Sequence, residues 1–310
     1  MPNWRDILHE IQEFQREHID QANAAIDIIR RKYLKKLHEY TQRNIIAYYS
    51  GFLSKPGILQ ADINDEDKNG FMMTTHKVDR SKGLDLILHT PGGSIAATQS
   101  IVDYLHQMYE NDIRAVVPQI AMSAGTMMTC SCRTILMSKH SNLGPIDPHL
   151  NGIPAYGVID EFKRACKEVK ADPAKTAIWQ SIIGQYRPTF LRRCENAIKW
   201  SNEFVTEQLT RVMYDGDPLA VNKAKRAVKK LTDPKKPHDR HIHYDECFND
   251  IGLNLQRIED DHVYQDLILS VHHCFMYTLM NTPSYKIIEN HLGVALVKRD
   301  ISSTIPQKTT

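Results

Sequence analysis

The strongest constraint on the fold is an alternation that begins at Leu84. Leu84 to His89 (LDLILH) is an apolar run of strand length, closed by Thr90-Pro91-Gly92-Gly93-Ser94. After it, Ile95, Ile101, Val102, Leu105, Met108 and Tyr109 recur at helical spacing. Arg114 to Ile120 (RAVVPQI) reads as a second strand, and Ala121-Met122-Ser123-Ala124-Gly125 as a turn into a short helix running through Cys130. Thr134 to Ser138 (TILMS) reads as a third strand, followed by a loop from Asn142 to His149. Two strand–turn–helix units feeding a third strand predict a layered α/β domain with right-handed crossovers.

The flanking segments extend this domain. Apolar residues from Trp4 to Leu37 fall three, four and seven apart, which predicts one long amphipathic helix over residues 4 to 40. Asn44 to Phe52 (NIIAYYSGF) predicts a strand, and Asp62 to Gly70 a polar loop whose acids do not follow the calcium-loop pattern. Helical spacing recurs over 155–170, 174–183, 189–214, 218–231, 243–255 and 263–280. The expected division is an N-terminal helical arm (1–41), a main α/β domain (42–258), a C-terminal helical extension (259–298) and a flexible tail (299–310).

Composition narrows the classes. With 310 residues, 42% hydrophobic and 25% charged, the chain is not collagen-like, wholly disordered or multi-span. Ala115 to Met128, interrupted by Pro118 and Gly125, is too short and broken to span a bilayer. The first residues show no apolar leader, and six cysteines form no CxxC pair, so a cytoplasmic location with reduced thiols is expected. The basic run Lys223 to Arg240 lacks interleaved stacking aromatics and is expected to be a solvated face, with no nucleic-acid partner. His238, His241 and His243 invite zinc, but HExxH and structural cysteine spacing are both missing, so no metal or cofactor is expected.

Chemistry concentrates in the two turns. Gly92 and Gly93 let backbone N–H groups approach an anionic oxygen without interference from a Cβ. Ser123 stands between a strand and a helix among small neighbours, which leaves its Oγ exposed and turns the Ala124 N–H outward, the logic of a nucleophile elbow. Two such turns at the same end of adjacent parallel strands would bring Gly93 and Ala124 around one carbonyl oxygen, an arrangement that serves acyl transfer. A serine nucleophile needs a neutral base. His149 and His238 fit, with Asp147 or Asp239 to orient the imidazole.

LDLILHTPGGSIAATQSIVDYL, AMSAGT and LGPIDP, in that order, resemble the Clp-fold serine peptidases, and most closely the serine dehydrogenase proteinase family. The resemblance covers about Asn44 to Leu150, with a weaker match to Leu255. It implies a ClpP/crotonase-like spiral of ββα units, Ser123 as nucleophile and Gly93 with Ala124 as oxyanion hole. It further implies a peptide or protein substrate and a homo-oligomer built from trimers. His149 stands at about the family's spacing after Ser123, while alignment on Pro148 puts Ile146 at the family histidine and Asp147 in the proteinase group's own motif. The more distant signal peptide peptidases use lysine, which by resemblance makes Lys163 or Lys167 a candidate base if burial lowered its pKa. A crotonase-like enzyme acting on acyl-CoA and a non-catalytic oligomeric scaffold are the alternatives that this fold leaves open.

Overall fold

A computed structural model describes residues 4–150, 152–233 and 237–300. In chain order the elements are α1 (Trp4–Glu17), α2 (Ala25–Thr41), β1 (Asn44–Ser50), α3 (Asp67–Thr75), β2 (Leu84–His89), α4 (Ile95–Tyr109), β3 (Ile113–Val117), β4 (Ile120–Ala121) and α5 (Ala124–Cys130). They continue with β5 (Thr134–Met137), β6 (Asn142–Leu143), β7 (His149–Leu150), β8 (Ile153–Pro154), α6 (Ala155–Ala171), α7 (Thr176–Ile183), α8 (Phe190–Gln208) and α9 (Ala220–Leu231). The last are β9 (Ile242–His243), β10 (Leu255–Arg257), α10 (His262–Asn281), β11 (Ser284–Asn290) and β12 (Ala295–Arg299).

A seven-stranded sheet in the order β10-β5-β3-β2-β1-β11-β12 forms the middle layer. The five strands from β10 to β1 are parallel, and β11 and β12 add an antiparallel hairpin at the β1 edge. Because side chains alternate across a strand, each strand feeds two cores. Ile46, Tyr48, Leu86, Leu88, Ala115 and Val117 face the core that α4, α5, α8 and α9 cover, whereas Ile45, Ala47, Tyr49, Ile87 and Val116 face α2 and α10. Each fully buried aliphatic side chain contributes about 1.5–3 kcal/mol. The mixed α/β architecture with a large, mainly parallel sheet is the class expected from the sequence.

Three local expectations are corrected. The N-terminal helix is broken: α1 and α2 are joined by a 3₁₀ segment at Ile19–Ala24, and Glu10 accepts hydrogen bonds from Lys32 Nζ and Tyr33 Oη, which folds α1 back along α2. Residues 243–255, read as one more helix ending at Gly252, are helical in π form over Glu246–Ile251 with left-handed Gly252 as the cap, as expected, while Leu255 instead opens β10 and pairs with Ile135. Residues 284–298, read as part of a helical extension, belong to the β11–β12 hairpin. Of the tail expected at 299–310, Arg299 ends β12, and residues 301–310 lie outside the described residues. Among the described residues no helix is long and apolar enough to cross a membrane.

The segment expected as a loop over 62–70 turns into α3 at Asp67, and this acid is fully buried. Its carboxylate accepts from Lys286 Nζ at 2.9 and 3.0 Å, from Tyr48 Oη at 2.8 Å and from the Asn64 N–H at 3.1 Å. Lys286, on β11, also donates to the Asp62 carbonyl at 2.7 Å. Removing one partner of such a pair strands the other charge out of water. Lys286→Met should therefore cost about 3–5 kcal/mol of unfolding free energy in urea.

On the α10 side of the sheet, His89 is buried with both ring nitrogens unpartnered among the described residues. It lies against Tyr49, Phe52 and His272. Burial lowers its pKa from 6.5 to about 3. Burial, followed by the neighbouring imidazoles of His89, His273 and His140, holds His272 well below its ordinary value. Both rings take up a proton only on unfolding, so stability is full above about pH 6.5 and falls as the pH drops toward about 3. His89→Phe should flatten the pH dependence of the unfolding free energy in that window by about 1.4 kcal/mol per pH unit.

Candidate active site

The turns after β2 and β4 are locked together by main chain. Thr90 N–H donates to the Ile120 carbonyl at 3.2 Å, and Met122 N–H donates back to the Thr90 carbonyl at 3.0 Å. This forms a parallel bridge between Thr90 and Ala121. The approach is so close that glycine is required on one side. A Cβ on Gly92, whose φ is +100°, would lie 2.7 Å from Ser123 Cβ and 3.0 Å from Ala124 N. A Cβ on Gly93 would lie 2.3 Å from the Ile63 nitrogen. Ile63 brackets this turn, donating its N–H to the Gly92 carbonyl at 2.7 Å and accepting from Ser94 N–H at 2.9 Å. The glycine pair is thus needed for backbone packing, beyond the access to a ligand that the sequence suggested.

Ser123 has φ +49° and ψ −115°, a conformation that L-residues avoid and that costs about 1–3 kcal/mol. Surrounding bonds hold it there. Gly125 N–H donates to the Met122 carbonyl at 2.7 Å and Met127 N–H to the Ser123 carbonyl at 3.0 Å. Thr126 Oγ1 lies 2.9 Å from both the Ala121 and Gly144 carbonyls and accepts from Gly144 N–H at 3.0 Å. Ser123 Oγ makes no capping bond to α5, and the side chain is half-buried at the wall of a cleft. As the first residue of α5, Ala124 has no carbonyl four residues back within the helix for its N–H.

The cleft encloses about 430 Å³. It is lined by Gly93, Ser94 and Ile95, by Ser123 and Met127, by Ile146, His149 and Leu150, and by Trp200 and His238. Trp200 Nε1 donates to Gln99 Oε1 at 2.8 Å, and Ser201 Oγ donates to the Ile146 carbonyl at 2.9 Å. These two bonds fix α8 over the cleft. His238 and His149, distant in sequence, meet at one carboxylate: His238 Nδ1 lies 2.7 Å from Asp147 Oδ1, and His149 Nε2 lies 3.4 Å from Asp147 Oδ2. The two imidazole centroids are 3.7 Å apart.

Burial disfavours the Asp147 anion. The hydrogen bond from His238 and the charges of both imidazoles outweigh it, and its pKa ends below the usual value. Burial and then the neighbouring His238 lower His149, against the pull of Asp147. Ser123, Gly93, His149 and His238 therefore line one cleft, with Asp147 behind the imidazoles and Gly92 and Ala124 against Ser123. No hydrogen bond joins Ser123 Oγ to either imidazole among the described residues. Lys163 and Lys167 are exposed on α6 and do not line the cleft, and Asp239, His241 and His243 are exposed as well. Ile146, at the family-histidine position, is buried and offers no proton acceptor. Trp200 and Ala197 were not legible as site residues, because nothing in a helical repeat says which loop it will cover.

A family model for the ClpP-like SDH-type serine proteinases matches residues 19–277. The chain belongs to this family. Two uncharacterized proteins of Methanocaldococcus jannaschii are similar to this SDH-type chain. One is 29% identical over 204 residues, covering 65% of the chain and 63% of the relative. The other is 29% identical over 177 residues, covering 57% and 53%. An ATP-dependent Clp protease proteolytic subunit 2 from Thermobifida fusca is 28% identical over 101 residues, covering 32% of the chain and 46% of that subunit. The chain spans less than two thirds of the length of these curated relatives.

The contact of Gly92 with Ser123 can be tested against Gly216, whose φ is +79° and where an added Cβ would meet nothing within 4 Å beyond its chain neighbours among the described residues. Both Gly→Ala changes place a Cβ on positive-φ backbone, but only Gly92→Ala adds a collision. Gly92→Ala should cost at least about 1 kcal/mol more than Gly216→Ala in paired urea melts.

Proposed function

We propose that this chain is a serine peptidase that cuts peptide bonds through an acyl-enzyme on Ser123. The observation that carries the reading is the strained serine held against a glycine turn at the wall of a cleft shared with two imidazoles on one carboxylate. Ser123 Oγ attacks the scissile carbonyl, and the developing oxyanion is received by the N–H groups of Gly93 and Ala124. His238 is the base. Its Nδ1–H donates to Asp147, which leaves the lone pair on Nε2 to accept the Ser123 proton and return it to the leaving amine. His149, against the same carboxylate, is a positioning residue that keeps Asp147 ionised beside His238. Peptide substrates and self-assembly are supported by the family and by the relative whose name makes it the proteolytic subunit of a Clp protease.

Ser123→Ala should abolish labelling by a fluorophosphonate probe and lower peptide hydrolysis by at least about 1,000-fold. Unchanged hydrolysis would overturn the assignment. Coenzyme A binding without labelling would instead move the site to acyl-thioester chemistry. His238→Ala should lower kcat by a larger factor than His149→Ala. A monomer in light scattering would overturn the assembly.

A further inference from the structure

One donor atom from each of Asp147, His149 and His238 lies within 4.8 Å of one from the other two. We propose that these side chains form a divalent-metal site, filled best by zinc, whose occupation switches the Ser123 hydrolase off. The inhibitory half rests on the peptidase reading; the metal site does not.

Two nitrogens and one carboxylate oxygen are the donor set zinc takes when a fourth position stays open, and both imidazoles here line the cleft. The charge balance favours a dication. Two imidazoles, tilted 36° to each other with centroids 3.7 Å apart, share a single carboxylate, and one proton between them leaves the second ring next to a like charge or without a partner. An ion bound to all three uses both rings and the acid at once. Access is open: the side chains of His149 and His238 are 27% and 32% exposed and Asp147 is 15% exposed. Zinc at His238, His241 and His243 is not expected from the sequence; the partners His238 meets are instead Asp147 and His149, the latter on β7.

Occupation and catalysis compete for the same electrons. A neutral imidazole has one lone pair. If the ion takes Nδ1 of His238, the proton moves to Nε2; if it takes Nε2, the lone pair is occupied directly. Either way nothing remains to accept the proton of Ser123.

The test titrates Zn²⁺ into the full chain by calorimetry and by competition with a chromophoric chelator. One ion per chain is expected, with binding unchanged in Ser123→Ala, His241→Ala and His243→Ala and weakened at least about tenfold in His149→Asn and Asp147→Asn. Melting curves check that these two variants are folded, and Co²⁺ on the unmodified chain should give visible absorption of a four-coordinate centre. Absence of stoichiometric binding, or binding indifferent to His149→Asn and Asp147→Asn, would overturn the site. Saturating Zn²⁺ should suppress fluorophosphonate labelling at least about tenfold, and a chelator should restore it. Labelling that persists with the ion bound overturns the switch. Binding with no labelling under either condition upholds the site and overturns the peptidase reading.

Discussion

The arrangement depends on how closely two stretches of main chain approach, at Gly92 on one side and Ser123-Ala124 on the other. That approach is possible only without a side chain at position 92, where a Cβ would stand 2.7 Å from Ser123 Cβ. The reciprocal hydrogen bonds of Thr90 with Ile120 and Met122 keep the two strand ends in step. With the strands in step, the unfavourable backbone of Ser123 is over-determined by its neighbours, and a local cost becomes a fixed direction for one hydroxyl. Strain of this kind persists where the surroundings leave no alternative.

Burial and charge complete the scaffold on both flanks. On one side Thr126 ties α5 to the loop at Gly144, the loop that leads to Asp147 and His149. On the other, Ile63 is hydrogen-bonded to the glycine turn and is flanked by Asp62, whose carbonyl Lys286 holds, and by Asn64, whose N–H Asp67 holds. Neither support touches the cleft, yet each sets where one of its walls stands. The ion pair is costly to bury and is repaid by five hydrogen bonds, from Lys286, Tyr48 and Asn64 to the carboxylate and from Lys286 to Asp62.

Much of this could be read from the residues, and the limits have physical causes. The strands at 84–89 and 134–138 and the turns after His89 and Ala121 were legible because local chemistry dictates them: apolar runs end at glycine and small residues. Ser123 and Gly93 followed from that. The meeting of His238 with Asp147 was not legible, since His238 reaches that carboxylate only through the path of α6 to α9. The β11–β12 hairpin was missed because Lys286, Glu289 and Asn290 are charged or polar and yet buried, which disguises the strand pattern. The helix ending at Gly252 was legible from its glycine cap, but its π form over Glu246–Ile251 was not, since apolar spacing in so short a segment does not separate the two helical forms.

The lysine that steadies the Ile63 segment comes from β11, more than two hundred residues later in the chain. A polypeptide emerging from the ribosome therefore makes its serine turn long before it makes the strand that steadies the facing glycines. Until that late hairpin docks, Asp67 has no cation beside it and the Ile63 segment lacks one of its two anchors. The order of synthesis thus separates the appearance of Ser123 from the completion of its surroundings. The fixed direction of that hydroxyl, on this scaffold, arrives with the last strands rather than with the residue that carries it.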